Sequence, residues 1–306
     1  MPNSVPTSVG RYSLDDLLYL MSRLRDPDNG CPWDLKQTPN TIINYSIEEI
    51  YELADAIEAD NTEEVKAELG DVLFQVIFLS QLANEQQQFA FNDVVHGICS
   101  KLVTRHPHIF SDGYLYPQSG NAVLSNTSVA ASDSDRVSAE AVGKSWEQIK
   151  AAERANKNLH GLFDDVPLAL PAILRAAKLQ KRAANIGFDW PDVKGALSKL
   201  KEEVNELEAL IADYENINTE NAELKMPAVM TQRIQEELGD VLFSVVNVAR
   251  KSGIQGEQAL RQANNKFIAR VNAVLEKQGG FERMGQQKVD SDTLDKLWEQ
   301  VKQDGL

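Results

Sequence analysis

Glu48, Glu49 and Glu52 are followed by Glu68, Gly70 and Asp71, and the arrangement returns as Glu202, Glu203 and Glu206 with Glu237, Gly239 and Asp240. Each half sits in a helix-like apolar pattern. Residues three or four apart share one helix face. Glu49 with Glu52, and Glu68 with Asp71, therefore point the same way. Two such helices packed antiparallel bring four carboxylates together. In isolation, like charges at this spacing weaken a helix by roughly a few tenths of a kcal/mol per pair. No Lys or Arg lies between Glu48 and Asp60 to offset them. A cation held between the helices would do so, and carboxylate oxygens are ligands that suit Mg²⁺ or Mn²⁺.

Acidic residues on a helix usually form a solvated outer face. Three features set these apart. They adjoin apolar runs, Val72-Leu73-Phe74 and Val241-Leu242-Phe243. A glycine precedes the final aspartate in both copies, mid-helix, where it costs about 1 kcal/mol relative to Ala. That cost points to close packing or ligand approach. The whole pattern also occurs twice.

A chain of 306 residues holds one or two domains with their own cores. Its net charge of −15 argues against binding duplex nucleic acid, which needs a basic stripe. A nucleotide substrate stays open, because a divalent metal reverses the local field. Cys31 and Cys99 make no disulfide framework and fit a reducing cytoplasm. The N-terminus has no signal-peptide layout, and no apolar run is long enough for a membrane span.

The elements that must position the carboxylates are helices, and the fold class is all-α, built of four- or five-helix units. Ser13 caps a helix running to about Arg25, and a second helix carries Glu48 to Glu58. Asn61 or Thr62 caps a third through Asp71, and a fourth starts near Asn92 and ends before Pro107. Residues 113–140 are rich in Ser, Asn, Ala and Gly and read as a flexible insertion. Helix returns over Trp146–Arg154. Pro171 opens a helix closed by Gly187, a C′ glycine, and Pro191 and Pro227 open the second acidic pair. Helices over Gly256–Gln278 and Ser291–Gln303 follow. The expected division is 1–112, an insertion over 113–140, a connecting helix and loop over 141–170, and 171–306.

The halves read as an internal duplication. Asp71-Val72-Leu73-Phe74 matches Asp240-Val241-Leu242-Phe243, and Trp146-Glu147-Gln148-Ile149-Lys150 matches Trp298-Glu299-Gln300-Val301-Lys302. Lys101 and Arg105 match Lys266 and Arg270 as i, i+4 basic pairs suited to gripping phosphates. The ordinary role of such pairs is surface solubility, and of a lone Trp, core packing. Asn264 lies one face-step from Lys266, where the first half has Cys99. No glycine-rich phosphate loop of Walker type is present.

The Glu-Glu-x-x-Glu and Glu-x-x-Asp pairs resemble the signature of the all-α nucleoside triphosphate pyrophosphohydrolases of the MazG family. Further stretches carry the likeness: Gly30-Cys31-Pro32-Trp33-Asp34, Arg105-His106-Pro107-His108, Trp146 to Lys150, and Gln180 to Ala184 with Gly187 to Trp190. It spans roughly Ser13 to Lys302. The resemblance implies Mg²⁺-dependent hydrolysis of an NTP or dNTP to the monophosphate and pyrophosphate, with Mn²⁺ as the other suitable ion. It implies Glu203, Glu206, Glu237 and Asp240 as metal ligands, with Glu49, Glu52, Glu68 and Asp71 as counterparts. Glu202 and Glu48 are further carboxylates that orient water or join the metal shell. Lys266, Arg270 and Arg233 would hold phosphates, as Lys101 and Arg105 would in the first half, and Trp298 would contact the nucleoside. It also implies a homodimer, with Cys99 in place of an amide weakening the first site.

Two other readings compete. A non-catalytic helical regulator would bind metal structurally, and a relative with the same chemistry would take a specialised substrate such as phosphoribosyl-ATP. A ferritin-type di-iron bundle needs Glu-x-x-His on two helices, which this sequence lacks.

Overall fold

A computed structural model describes residues 10–116, 146, 149, 153–154, 161–218, 227–278 and 290–305. Among these the regular structure is helical, with no strand. The chain divides into two compact units, Met1–Ile149 and Lys150–Leu306.

The first unit contains α1 (Leu14–Leu24), α2 (Pro39–Glu58), α3 (Thr62–Glu85) and α4 (Phe91–Arg105). Ser13 caps α1, and Asp16 reaches back to the Ser13 N–H to complete a capping box. The helix that carries Glu48–Glu58 begins at Pro39. Thr38 accepts from the Thr41 N–H there, and Pro39 supplies a φ already suited to a first turn. Asn61 caps α3 by accepting from the Glu64 N–H. Only three residues join α2 to α3, with Asp60 in the left-handed region at φ 53°. A connection that short makes the two helices antiparallel neighbours. Met21, Ile42, Ile77, Phe78 and Leu82 form the core, flanked by Leu17, Leu18, Phe74, Leu79 and Phe91. Burying each large apolar side chain contributes about 1.5–3 kcal/mol. That term, rather than helix propensity, fixes how α1, α2 and α3 sit together.

The second unit contains α5 (Ala172–Asn185), α6 (Val193–Asn218), α7 (Ala228–Lys251), α8 (Gly256–Lys277) and α9 (Ser291–Gln303). α6 packs along α7, α5 lies on α7 and α8, and α9 lies on α8. Gly187 ends α5 as expected, at φ +88°, with its N–H bonded to Ala184 O and the Phe188 N–H to Ala183 O. The buried Gln180 side chain donates from Nε2 to Phe243 O at 2.8 Å, which ties α5 to α7.

Beyond Tyr116, the expected insertion over 113–140 lies outside the described residues. So do residues 219–226 of the Tyr214–Val229 connection. Of the expected Trp146–Arg154 helix, Trp146, Ile149, Glu153 and Arg154 are described, all helical. Among the described residues, Gly70 and Gly239 do not serve close packing, because a Cβ at either would meet nothing within 4 Å. Among the described residues, no helix is long and apolar enough to cross a membrane.

Candidate metal centre

α2 and α3 each contribute acids from the face turned to the other helix. Oxygens of Glu49, Glu68 and Asp71 lie within 4.8 Å of one another. The same happens between α6 and α7, where Glu203, Glu237 and Asp240 meet within 4.8 Å. Glu52 and Glu206 stand outside these tight trios but close enough to act on them electrically. The two clusters therefore consist of three converging carboxylates with a fourth alongside, rather than four equivalent ones.

The energetics match the crowding. Burial raises the pKa of Glu68, and the charges of Glu52, Asp71 and Glu49 raise it further. Burial also lifts Glu49, helped by Asp71 and opposed by a hydrogen bond that Gln75 Nε2 donates to Glu49 Oε1 at 3.3 Å. Glu206 is raised by burial and by its neighbours Glu203 and Glu237. Glu68 is only 8% exposed, and its Oε2 is buried with no hydrogen-bond partner among the described residues. An unpartnered buried carboxylate oxygen costs free energy unless a cation meets it. Three hard oxygen donors at this spacing fit a divalent cation whose remaining positions are filled by water.

The two trios differ in one neighbour that the sequence reading missed. Lys199 Nζ lies 2.8 Å from Glu203 Oε1 and 2.7 Å from Glu202 Oε1. Those bonds, to Glu202 first, push the Lys199 ammonium further toward its charged form. The signal was present, since Lys199 lies three and four residues before the two glutamates on one helix face. At the matching position the first unit has Tyr45, whose ring meets Trp33 edge-on at 5.8 Å.

The other expected residues fall into separate groups. On α8 and α9, the Arg270 guanidinium lies 5.6 Å from the Trp298 ring centre, and Trp298 packs on Phe267 at 5.7 Å. Asn264 and Lys266 are exposed on α8, and Arg233 is exposed on α7, one turn before Glu237. In the first unit, Lys101 is exposed and Arg105 half-buried on α4. Trp146 packs edge-on against His106 at 5.1 Å.

Toward the C-terminal end of α7, ten residues beyond Asp240, is an ion-pair network that spacing in the sequence did not signal. Asp189 accepts from Arg250 and from Lys251 Nζ, the latter at 3.2 Å, and Lys251 also donates to Trp190 O at 2.6 Å. The hydrogen bonds from Arg250, with Lys251 adding to them, hold the Asp189 carboxyl down to about 2. Gly195 lets the Trp190 ring lie on α6, since a Cβ there would stand 2.9 Å from Trp190 Cε3.

Residues 37–110 and 193–275 match the MazG nucleotide pyrophosphohydrolase domain, so each acidic helix pair falls inside one matched segment. The chain is 41% identical over 291 residues to a nucleoside triphosphate pyrophosphohydrolase of Escherichia coli K12, covering 94% of this chain and 97% of that protein. It is 36% identical over 293 residues to a nucleoside triphosphate pyrophosphohydrolase/pyrophosphatase MazG of Thermotoga maritima, covering 94% and 95%. It is 38% identical over 286 residues to the uncharacterized protein YabN of Bacillus subtilis, covering 93% of this chain and 50% of that one.

Proposed function

The chain belongs to the MazG nucleotide pyrophosphohydrolase family, and we propose that it hydrolyses nucleoside triphosphates to the monophosphate and pyrophosphate in a Mg²⁺-dependent reaction. The observation that carries this reading is the convergence of Glu203, Glu237 and Asp240 between α6 and α7, with Lys199 against them. In the reaction, the oxygen of water bonds to the α-phosphorus. The bond from that phosphorus to the bridging oxygen breaks, and pyrophosphate leaves with the electron pair.

Glu203, Glu206, Glu237 and Asp240 would hold the metal, which when bound polarises phosphoryl oxygens and makes water a better nucleophile. Hard oxygen ligands favour Mg²⁺, with Mn²⁺ able to replace it. Glu202 is the group proposed to orient the attacking water. Lys199, Lys266, Arg270 and Arg233 supply positive charge for the phosphates, and Trp298 packs beside the substrate. The second unit is the working site in this reading. Lys199 has no cationic counterpart at Tyr45, and Cys99 replaces the amide of Asn264.

A homodimer is part of the proposal. Leu69, Leu73 and Val76 form an exposed stripe at i, i+4, i+7 on α3, and Leu238, Leu242 and Val245 repeat it on α7. A second copy covering these stripes would remove that apolar surface from water. Cys31 and Cys99 are both free thiols, which supports a cytoplasmic setting.

The test is a pyrophosphate-release screen with Mg²⁺ over the four ribonucleoside and four deoxyribonucleoside triphosphates. In heavy-oxygen water the label should enter the monophosphate. Label found only in orthophosphate would overturn the mechanism.

A further inference from the structure

A buried amide adjoins the first acidic trio. Gln75 lies four residues beyond Asp71 and seven beyond Glu68, so it shares their face of α3. It is 8% exposed. Its Nε2 donates to Glu49 Oε1 at 3.3 Å, which anchors the carboxamide on a member of the trio. The carbonyl Oε1 on the same carbon is buried and has no hydrogen-bond partner among the described residues. The same holds for Glu68 Oε2. Two such oxygens side by side on one helix face bear the cost of lost hydration until a donor or a cation meets them.

The second unit differs here in two ways. Four residues beyond Asp240 stands Ser244, which is buried but has no amide oxygen to offer. Lys199 Nζ stands 2.8 Å from Glu203 Oε1, and its charge opposes the entry of a cation. In the first unit the place of Lys199 belongs to Tyr45, which carries no ammonium and packs on Trp33. The first trio therefore has one oxygen more and no competing cation from that position.

We propose that the first unit keeps a divalent cation without any nucleotide, bound by Glu49, Glu68, Asp71 and the Gln75 carbonyl, and that this ion clamps α2 to α3. Glu49 comes from α2 and the other three from α3, so one ion ties the two helices. Four protein oxygens leave about two positions of a six-coordinate shell to water. Mg²⁺ held by only one or two carboxylates leans on substrate phosphates for its remaining ligands. The first site has no such need. In the second unit Glu203 is engaged by Lys199, and a triphosphate would draw that ammonium away and free the carboxylate for metal. The two units thus hold cations of two kinds, a tight resident one and a weaker one that loads with substrate. Only the second half of this statement rests on the pyrophosphohydrolase reading.

The experiment needs no turnover. Mn²⁺ is titrated into the metal-free full-length chain without nucleotide, and free Mn²⁺ is read from its electron paramagnetic resonance signal. The wild type should show a tight and a weak class of site. Asp71→Asn should abolish the tight class, and Asp240→Asn should leave it in place. Gln75→Met should weaken it by roughly tenfold to a hundredfold. Gln75→Glu keeps an oxygen there but loses the N–H that reaches Glu49, and it should bind Mn²⁺ at least as tightly as the wild type. A single class of site in the wild type overturns the inference, as does a tight class lost in Asp240→Asn rather than Asp71→Asn. Unchanged affinity in a folded Gln75→Met also overturns it. Weakened binding in Gln75→Glu overturns the ligand role, because the amide then serves only to position Glu49. That variant decides the matter if Gln75→Met loses its helicity. A chain that binds Mn²⁺ as expected yet releases no pyrophosphate fails the proposed function and leaves the resident cation standing.

Discussion

Lys199 Nζ stands 2.8 Å from Glu203 Oε1, inside the acidic trio of the second unit, while the first unit has Tyr45 at the matching position. The lysine neutralises charge at the place where metal and phosphate would meet. Replacing it separates the two demands. Lys199→Met should lower kcat/KM by roughly tenfold to a hundredfold, the range for losing a hydrogen bond to a charged group. The same change leaves the trio more negative, so half-saturation should need less Mg²⁺. A Mg²⁺ titration of turnover reads both effects, and unchanged kcat/KM would remove Lys199 from the site.

The two units should contribute unequally. Glu206→Gln or Asp240→Asn should reduce turnover by orders of magnitude, since each displaces the ion that positions and polarises the phosphates. Glu52→Gln or Asp71→Asn should reduce it far less. Steady-state rates at saturating Mg²⁺, compared at matched helicity, decide the matter. Equal losses would mean two working sites.

The carboxylate trio of the first unit predicts an unusual response to pH. Glu49 and Glu68 have folded-state pKa values above the ordinary 4.5, so the folded protein holds those protons more tightly than the unfolded chain. Their contribution to stability is present below that value and is lost as pH rises through the raised values. Mg²⁺ acts in the opposite direction, because its ligands must be deprotonated. The gain in melting temperature on adding Mg²⁺ should therefore widen from about pH 4 to pH 7. Glu68→Gln should raise the metal-free melting temperature at neutral pH. A metal-free Glu68→Gln protein that melts below wild type would contradict the assignment.

Asp189 should behave the other way. Arg250 and Lys251 hold its carboxyl down to about 2, below the ordinary 3.8. The stability it contributes is therefore complete above 3.8 and lost as pH falls toward 2. Asp189→Asn should destabilise the second unit by about 1–3 kcal/mol, the cost of replacing a charged acceptor of two cationic donors by a neutral amide with one acceptor oxygen. Thermal unfolding followed from neutral to acid pH should show the wild type and the variant converging at the acid end. Parallel curves would mean the ion pair has no such role.

Much of the scaffold was legible because its signals are local. Ser13, Asn61, Gly187 and Pro227 mark helix ends through bonds or backbone angles confined to a few residues. The acid pairs were legible for the same reason, since i, i+3 spacing fixes a shared face whatever the helix packs against. The start of α2 at Pro39 is just as local, since Thr38 caps it and Pro39 supplies the first-turn φ.

Spacing along one helix does not fix the rotation of that helix against another. Glu49 rather than Glu52 joins Glu68 and Asp71 within 4.8 Å because the core around Met21, Ile42 and Phe78 sets how α2 lies on α3. Asn247 and Phe78 occupy matching places seven residues beyond matching aspartates, yet one borders open space and the other is core. The sequence determined the helices, the duplicated carboxylates and the family. Tertiary packing decided which acids meet, that a lysine enters one trio, and that space remains in the second unit, because side-chain volume and charge act across helices that the chain order keeps apart.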